Sequence, residues 1–283
     1  MAILNDVSDT ALWVAVYRDR ETKRPNALFK DPYAGMLAGE RGLNIENQMT
    51  NSKYVEWSVI LRTLIIDRFL EQVIGEGADM VINLGAGLDT RPYRMQLPSS
   101  LKWVEVDFPQ IINHKNERLA KLKPVCQLER IIADLSNDQV RRETLAKLNA
   151  KTRNAVVITE GVIPYLSNDS VAALGRDLHG QPNFKHWIAE YHARELMKYL
   201  KHKRKRREMQ NAPFQFDPPD YLEFFKAIGW KKSIMTFLKE EADRHNRPVP
   251  HSLWVRTMMK LFMSKERRKL ADHFSAYVMF ERV

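Results

Sequence analysis

An α/β fold built on a largely parallel sheet is the class this 283-residue sequence predicts, and three observations predict it. Several short runs are apolar throughout, as strands buried on both faces of a parallel sheet are. Each run ends in a glycine or acidic turn, and helix-like stretches separate them, which is the alternation of βαβ units. Hydrophobic residues at 44% and charged residues at 28% describe a globule able to bury about three-quarters of its unfolded surface, and exclude disordered and collagen-like classes.

The elements follow in order. The N-terminus lacks a basic leader and is interrupted by Asp6 and Asp9, so no secretory signal is expected. Residues 54–73 have helical periodicity, with Val59, Leu61, Ile65, Ile66 and Leu70 available for burial. Met80–Leu84 reads as a strand that ends in Gly85-Ala86-Gly87 and should lead into a helix. Residues 101–106 form a second strand ending at Asp107, and 128–133 another ending at Asp134-Leu135. Ala155–Thr159 ends at Glu160-Gly161. Helices are expected at 110–123, 139–148 and 168–179, the last opened by Asn168 or Asp169. A strand at 185–191 precedes a basic stretch; Pro218-Pro219-Asp220 then starts a helix at 221–228 closed by Gly229. Strands at 232–238 and 276–280, with a helix at 252–273 between them, complete the pattern. The simplest organisation is one domain over 1–283, with a helical extension over 1–75 and a basic insertion or lid over 192–215.

Charge and cysteine content narrow the function classes. The net charge is +10, but seven of those charges are Lys198, Lys201, Lys203, Arg204, Lys205, Arg206 and Arg207, leaving +3 elsewhere. That segment is a solvated helix, a lid attracting an acidic substrate, or a nucleic-acid contact. The last is disfavoured because no aromatic platform accompanies it. Neutralising Lys203 to Arg207 should raise KM for an anionic acceptor if the segment is a lid. The single Cys126 cannot form an intramolecular disulfide, and no Cys/His cluster has zinc spacing, so no metal and a cytoplasmic location are expected. No apolar stretch approaches the ~20 residues that span a bilayer.

The chemistry gathers at the strand ends. Gly85 and Gly87 let backbone approach a ligand closely. A dinucleotide fingerprint would carry a third glycine at position 90, where this chain has Thr90, so a nucleoside lacking pyrophosphate fits better. Asp107, twenty residues after Gly87, can accept from both ribose hydroxyls, or can simply cap a helix. Asp134 can receive an adenine amine while Leu135 covers the ring, or serve as an N-cap. Glu160 lies where open α/β sheets hold ligands, and is otherwise a salt-bridge partner.

The run Asn83-Leu84-Gly85-Ala86-Gly87-Leu88-Asp89-Thr90-Arg91, with Tyr93-Arg94, resembles the first motif of the leucine carboxyl methyltransferase family, which includes tetracenomycin-type polyketide O-methyltransferases. Further matches are Trp103 to Pro109 with Lys115, Asp134-Leu135 and Glu160 to Leu166. Upstream, Phe29 to Ala34 and Arg62-Thr63 with Asp67 match as well. The resemblance covers roughly residues 10 to 190. It implies a Rossmann-like class I S-adenosyl-L-methionine-dependent methyltransferase, with a seven-stranded, mostly parallel sheet whose last strand is antiparallel. By motif, Gly85, Ala86 and Gly87 line the methionine part, Asp107 holds the ribose, and Asp134 and Leu135 take the adenine. Glu160, with Gly161, meets the methionine ammonium, and Arg62 pairs with its carboxylate, joined by Arg18. Arg91 and Arg94 are expected to brace Asp89 and Glu105.

The reaction expected is O-methylation of a small polyketide-like molecule or of a protein carboxyl terminus. A carboxylate acceptor is ionised near pH 7 and needs no base, whereas a hydroxyl does. No residue stands out as that base; Tyr165, Tyr191 and His192 follow the fourth and fifth strands and can face the acceptor. The rival classes are a protein that binds S-adenosyl-L-methionine without catalysis and a nicotinamide-dependent oxidoreductase, the latter disfavoured by Thr90.

Overall fold

The structure is a computed structural model and describes residues 8–49, 52–194, 196, 213–251, 254, 261–262 and 264–283. The basic segment from Lys198 to Arg207 and residues 252–253, 255–260 and 263 of the expected helix at 252–273 lie outside the described residues.

Seven strands form one sheet: β1 (Met80–Leu84), β2 (Lys102–Asp107), β3 (Gln127–Ile132), β4 (Ala155–Thr159), β5 (Phe184–His192), β6 (Trp230–Phe237) and β7 (Ser275–Arg282). Their order is β3-β2-β1-β4-β5-β7-β6. The pairs from β3 through β5 are parallel, and β7 runs antiparallel to both β5 and β6. The order reverses between β1 and β4, so the crevice at their C-terminal ends is the switch point where such sheets hold ligands.

Three helices precede the sheet: α1 (Ser8–Thr22), α2 (Ala34–Gln48, kinked at Gly39) and α3 (Ser52–Gly75). The apolar stripe read from the sequence on α3 is the one that packs: Val59, Leu61, Ile65, Ile66 and Leu70 are all buried. Four of the five press on one face of the sheet beside Val81, Trp103, Ile158 and Met279, each burial worth about 1.5–3 kcal/mol. Val59 instead joins Trp13 and Tyr17 of α1.

Between the strands lie α4 (Arg91–Arg94), α5 (Pro109–Arg118), α6 (Asp138–Asn149), a 3-10 turn at Ile163–Tyr165 and α7 (Asn168–His179). Three short helices follow: α8 (Tyr221–Ala227), α9 (Leu238–Arg244) and α10 (Lys265–Asp272). On the face opposite α3, Trp187 of β5 packs edge-on against Phe225 at 5.0 Å, and Phe225 stacks on Phe280 at 4.3 Å. These contacts fasten the antiparallel end of the sheet to the parallel part.

Two local expectations change. The glycine turn leads into only one helical turn, α4, because Pro98 and the immediate return into β2 leave no room for a longer helix. Helix α7 is capped by Ser167, whose hydroxyl accepts from the Ser170 N–H at 3.1 Å, rather than by Asn168 or Asp169.

Candidate functional site

The glycine turn and the acid after β2 are one structure. Gly87 donates its N–H to Asp107 Oδ2 at 2.7 Å, and the other carboxylate oxygen accepts from the Phe108 N–H at 2.7 Å. Gly85 and Gly87 have φ of 70° and 49°, the left-handed region that glycine enters without strain. A Cβ on Gly85 would come within 2.5 Å of Val162 Cγ2, so the turn after β4 closes directly onto the turn after β1. Burial pushes the Asp107 carboxyl up, against the pull of the two N–H groups. Phe108 is 44% exposed beside Asp107, an apolar ring presented at a strand end.

Beneath this turn lies a network of buried ions. Arg91, 2% exposed, reaches Asp67 at 2.6 Å, Glu160 at 2.8 Å and Asp89 at 3.0 Å. Arg94 forks onto both oxygens of Asp67 at 2.7 and 2.9 Å. Arg18 holds Asp31 at 2.9 Å and donates to the Leu88 carbonyl at 2.5 Å, bracing the glycine turn from α1. Arg62 Nε lies 2.9 Å from Glu160 Oε1 in an ion pair whose geometry makes no hydrogen bond, so that N–H stays orphaned. Four arginines thus meet four carboxylates, Asp31, Asp67, Asp89 and Glu160. Burial alone would raise the Asp89 and Glu160 carboxyls. The arginines override it, holding Asp89 at about 2 and lowering Glu160.

The expected bracing by Arg91 and Arg94 is half right. Arg91 does hold Asp89, but Glu105 belongs to Lys115 at 2.7 Å and Arg130 at 2.8 Å. The sheet register decides this, because Arg130 of β3 stands opposite Glu105 of β2.

Asp134 is exposed and folds onto its own loop, accepting from the Ser136 N–H at 2.9 Å and hydroxyl at 2.6 Å. It does not cap α6, which is the work of Asn137. Leu135 is half-buried against the core. Gly161, at φ 71°, follows Glu160.

The trio of candidate acceptor residues is divided. Tyr165 stacks on Phe214 at 5.2 Å, and burial pushes its phenol up to about 12. Tyr191 turns to the far face of the sheet, edge-on to Tyr221 at 4.9 Å. His192 contacts Ser275 Oγ at 3.2 Å, and burial, helped by Arg62, pushes it down to about 4. Between them in the chain's approach to the site lies a residue that the sequence reading passes over. Glu190, 2% exposed, has no hydrogen-bond partner on either carboxylate oxygen. Its signal is that it is the one acidic residue of β5, near the strand's end.

A cavity of about 750 Å³ opens between α1, α2 and α5, lined by Leu12, Leu37, Leu88, Ile111 and His114 among others. None of the strand-end acids borders it, so it lies outside the site described above.

Residues 11–179 match the family model of leucine carboxyl methyltransferase. The chain belongs to the leucine carboxyl methyltransferase family. S-adenosyl-L-methionine is therefore its cofactor, and the matched range includes the motif beginning at Asn83. A candidate S-adenosyl-L-methionine-dependent methyltransferase of Streptomyces coelicolor is 32% identical over 177 residues, 58% of this chain and 62% of that one. The chain thus spans under two-thirds of that relative. A similarly described protein of Mycobacteroides abscessus is 26% identical across 87% of this chain and 91% of its own length. Two solved structures share the fold, a DUF574-family protein of Streptomyces avermitilis and a candidate methyltransferase of Thermobifida fusca. Each has a TM-score of 0.56 and 13% identity over 95% of this chain, covering 97% and 94% of their own chains. The fold is that of class I S-adenosyl-L-methionine-dependent methyltransferases, and the one-turn α4 after the glycines offers no long helix for a pyrophosphate, which disfavours the nicotinamide alternative. Among the described residues no helix is long and apolar enough to cross a membrane.

Proposed function

We propose that the chain catalyses O-methylation, passing the methyl group of S-adenosyl-L-methionine to a hydroxyl or carboxylate of a small organic acceptor. The carrying observation is the 2.7 Å link between the Gly87 N–H and Asp107, which fixes an acid beside a closely approachable backbone turn. When bound, the donor supplies a sulfonium-activated methyl group, so the protein's task is alignment and exclusion of water.

The residues present fit that ligand. Gly85, Ala86 and Gly87 give side-chain-free backbone for the methionine portion, and Asp107 offers its carboxylate to the ribose hydroxyls. Phe108 and Leu135 provide apolar surfaces for the adenine, with Asp134 at its edge. The orphaned Nε–H of Arg62 is a donor awaiting a carboxylate, and Glu160 presents the negative charge an ammonium requires. Arg18 acts through the Leu88 carbonyl. The chain works as one methyltransferase domain, with residues 1–75 as its helical extension.

The test is transfer of labelled methyl to a panel of aromatic compounds supplied in pairs, one member bearing a hydroxyl and the other a carboxyl. Label recovered in an ether or ester supports the reading. Donor binding with label recovered only on nitrogen or sulfur acceptors contradicts it.

A further inference from the structure

Glu190 sits on β5 one residue beyond Ala189, which pairs with Thr159 of β4, so it stands one strand away from Glu160, ~4.8 Å across the sheet. It shares the α3-facing side of the sheet with Ile188 and His192, toward Arg62. The groups around it come from every neighbouring element: Arg62 from α3, Glu160 from β4, Tyr165 from the 3-10 turn, Tyr277 from β7 and Tyr221 from α8. Tyr221 spends its hydroxyl on the Glu190 backbone carbonyl, at 2.5 Å, and not on the carboxylate. The N–H groups of Glu190 itself and of Gly161 face the carboxylate without closing a hydrogen bond within normal geometry.

Charge balance then singles this residue out. The four arginines of the site are already matched by four carboxylates. Beyond those pairs the site holds two further carboxyls: Asp107, which accepts from two backbone N–H groups, and Glu190, whose oxygens have no hydrogen-bond partner. An ionised Glu190 would thus be buried without a counter-ion, at a cost of several kcal/mol. The methyl donor brings one positive charge beyond its own ammonium–carboxylate pair, on sulfur. Glu190 is the carboxyl available to answer it.

We propose that Glu190 is the proton acceptor for a hydroxyl substrate, neutral while the donor is away and ionised as counter-charge once the donor's cation arrives. This rests on the O-methyltransferase reading and narrows its acceptor to a hydroxyl. Glu190 takes the acceptor's proton as the acceptor oxygen bonds to the methyl carbon. The S–CH3 bond breaks with its electron pair remaining on sulfur. The products are the methyl ether, neutral S-adenosylhomocysteine and a protonated Glu190, so the site returns to its starting charge. A carboxylate acceptor brings no proton and would leave Glu190 ionised beside a neutral product. Burial, aided by Glu160, supports the resting state by pushing the Glu190 carboxyl up to about 8, against the pull of its own N–H and of Arg62.

Calorimetry tests this with the donor itself, titrated at pH 7 in two buffers of different ionisation enthalpy so that released protons are counted. S-adenosylhomocysteine, which carries the same amino group without the sulfonium charge, is the control. Wild-type protein should release close to one proton per donor bound and almost none with S-adenosylhomocysteine. Glu190→Gln should still bind the donor and release none, and Glu190→Asp should restore part of the release. In the paired-acceptor panel, Glu190→Gln should lower kcat for hydroxyl acceptors by about 100-fold or more with little change in KM. Donor binding with the same proton count in wild type and Glu190→Gln overturns this proposal alone. Absence of any donor binding overturns the O-methyltransferase reading and this proposal together.

Discussion

On the β1 side of the strand ends the buried charges are held in ion pairs; on the β5 side the Glu190 carboxyl is buried without a hydrogen-bond partner and the half-buried His192 meets the neutral hydroxyl of Ser275. Arg91, Arg94, Arg62 and Arg18 fix the positions of Asp67, Asp89, Glu160 and Asp31 to within ordinary ion-pair distances. Glu190 and His192 instead have their titrations displaced by burial, upward to about 8 and downward to about 4. The first region is a rigid frame for a ligand of defined shape. The second stores groups whose protonation can change. The proposed methyl transfer needs both, since donor recognition is a matter of fixed geometry whereas a hydroxyl acceptor must lose a proton.

The comparison breaks most visibly at Arg91. Arg91→Met strands Asp67, Asp89 and Glu160 with reduced compensation and should cost about 3–5 kcal/mol, read as a large fall in Tm. A Tm within a degree of wild type would show that the network is not a frame. Gly85→Ala is next: its Cβ meets Val162 and its φ is left-handed, so about 1–3 kcal/mol of strain is expected, with donor affinity reduced more than stability. Stability falling without any loss of donor affinity would separate the turn from the ligand.

Two smaller effects sharpen the β5 side. The folded-state carboxyl of Glu190 titrates above its unfolded value, so its contribution to stability is full below about pH 4.3 and is lost as pH rises through about 8. Melting curves of Glu190→Gln should therefore overtake wild type at pH 8.5, by a few degrees, after trailing or matching it at pH 5. His192 has the opposite sign: its folded value is depressed, so stability is present above about pH 6.5 and is lost as pH falls through about 4. His192→Gln should flatten that acid limb; an unchanged limb would assign it to other groups.

The β1 side was also the more legible in the sequence, for a physical reason. Strands buried on both faces must be apolar throughout, so Met80–Leu84 and Ala155–Thr159 are read with correct limits. The residues that interrupt them then stand out as Gly85, Asp107 and Glu160. Partners set by register are another matter. Nothing in the spacing of Glu105 indicates that it faces Arg130 across β2 and β3 rather than Arg94. Glu190 is inconspicuous in the sequence because Tyr191 and His192 follow it and have more conspicuous chemistry. Only strand alternation, which sends Tyr191 to one face and Glu190 to the other, shows which of them meets Arg62.

The claim on which all of this depends is that backbone after β1 and the acid after β2 together hold an adenosine. Titrating S-adenosyl-L-methionine into Asp107→Ala by calorimetry, beside a melting curve of the same variant, addresses it directly. Affinity at least about 100-fold below wild type, with Tm nearly unchanged, is the result expected for loss of two charge-assisted hydrogen bonds. Wild-type affinity in a folded Asp107→Ala protein would contradict it.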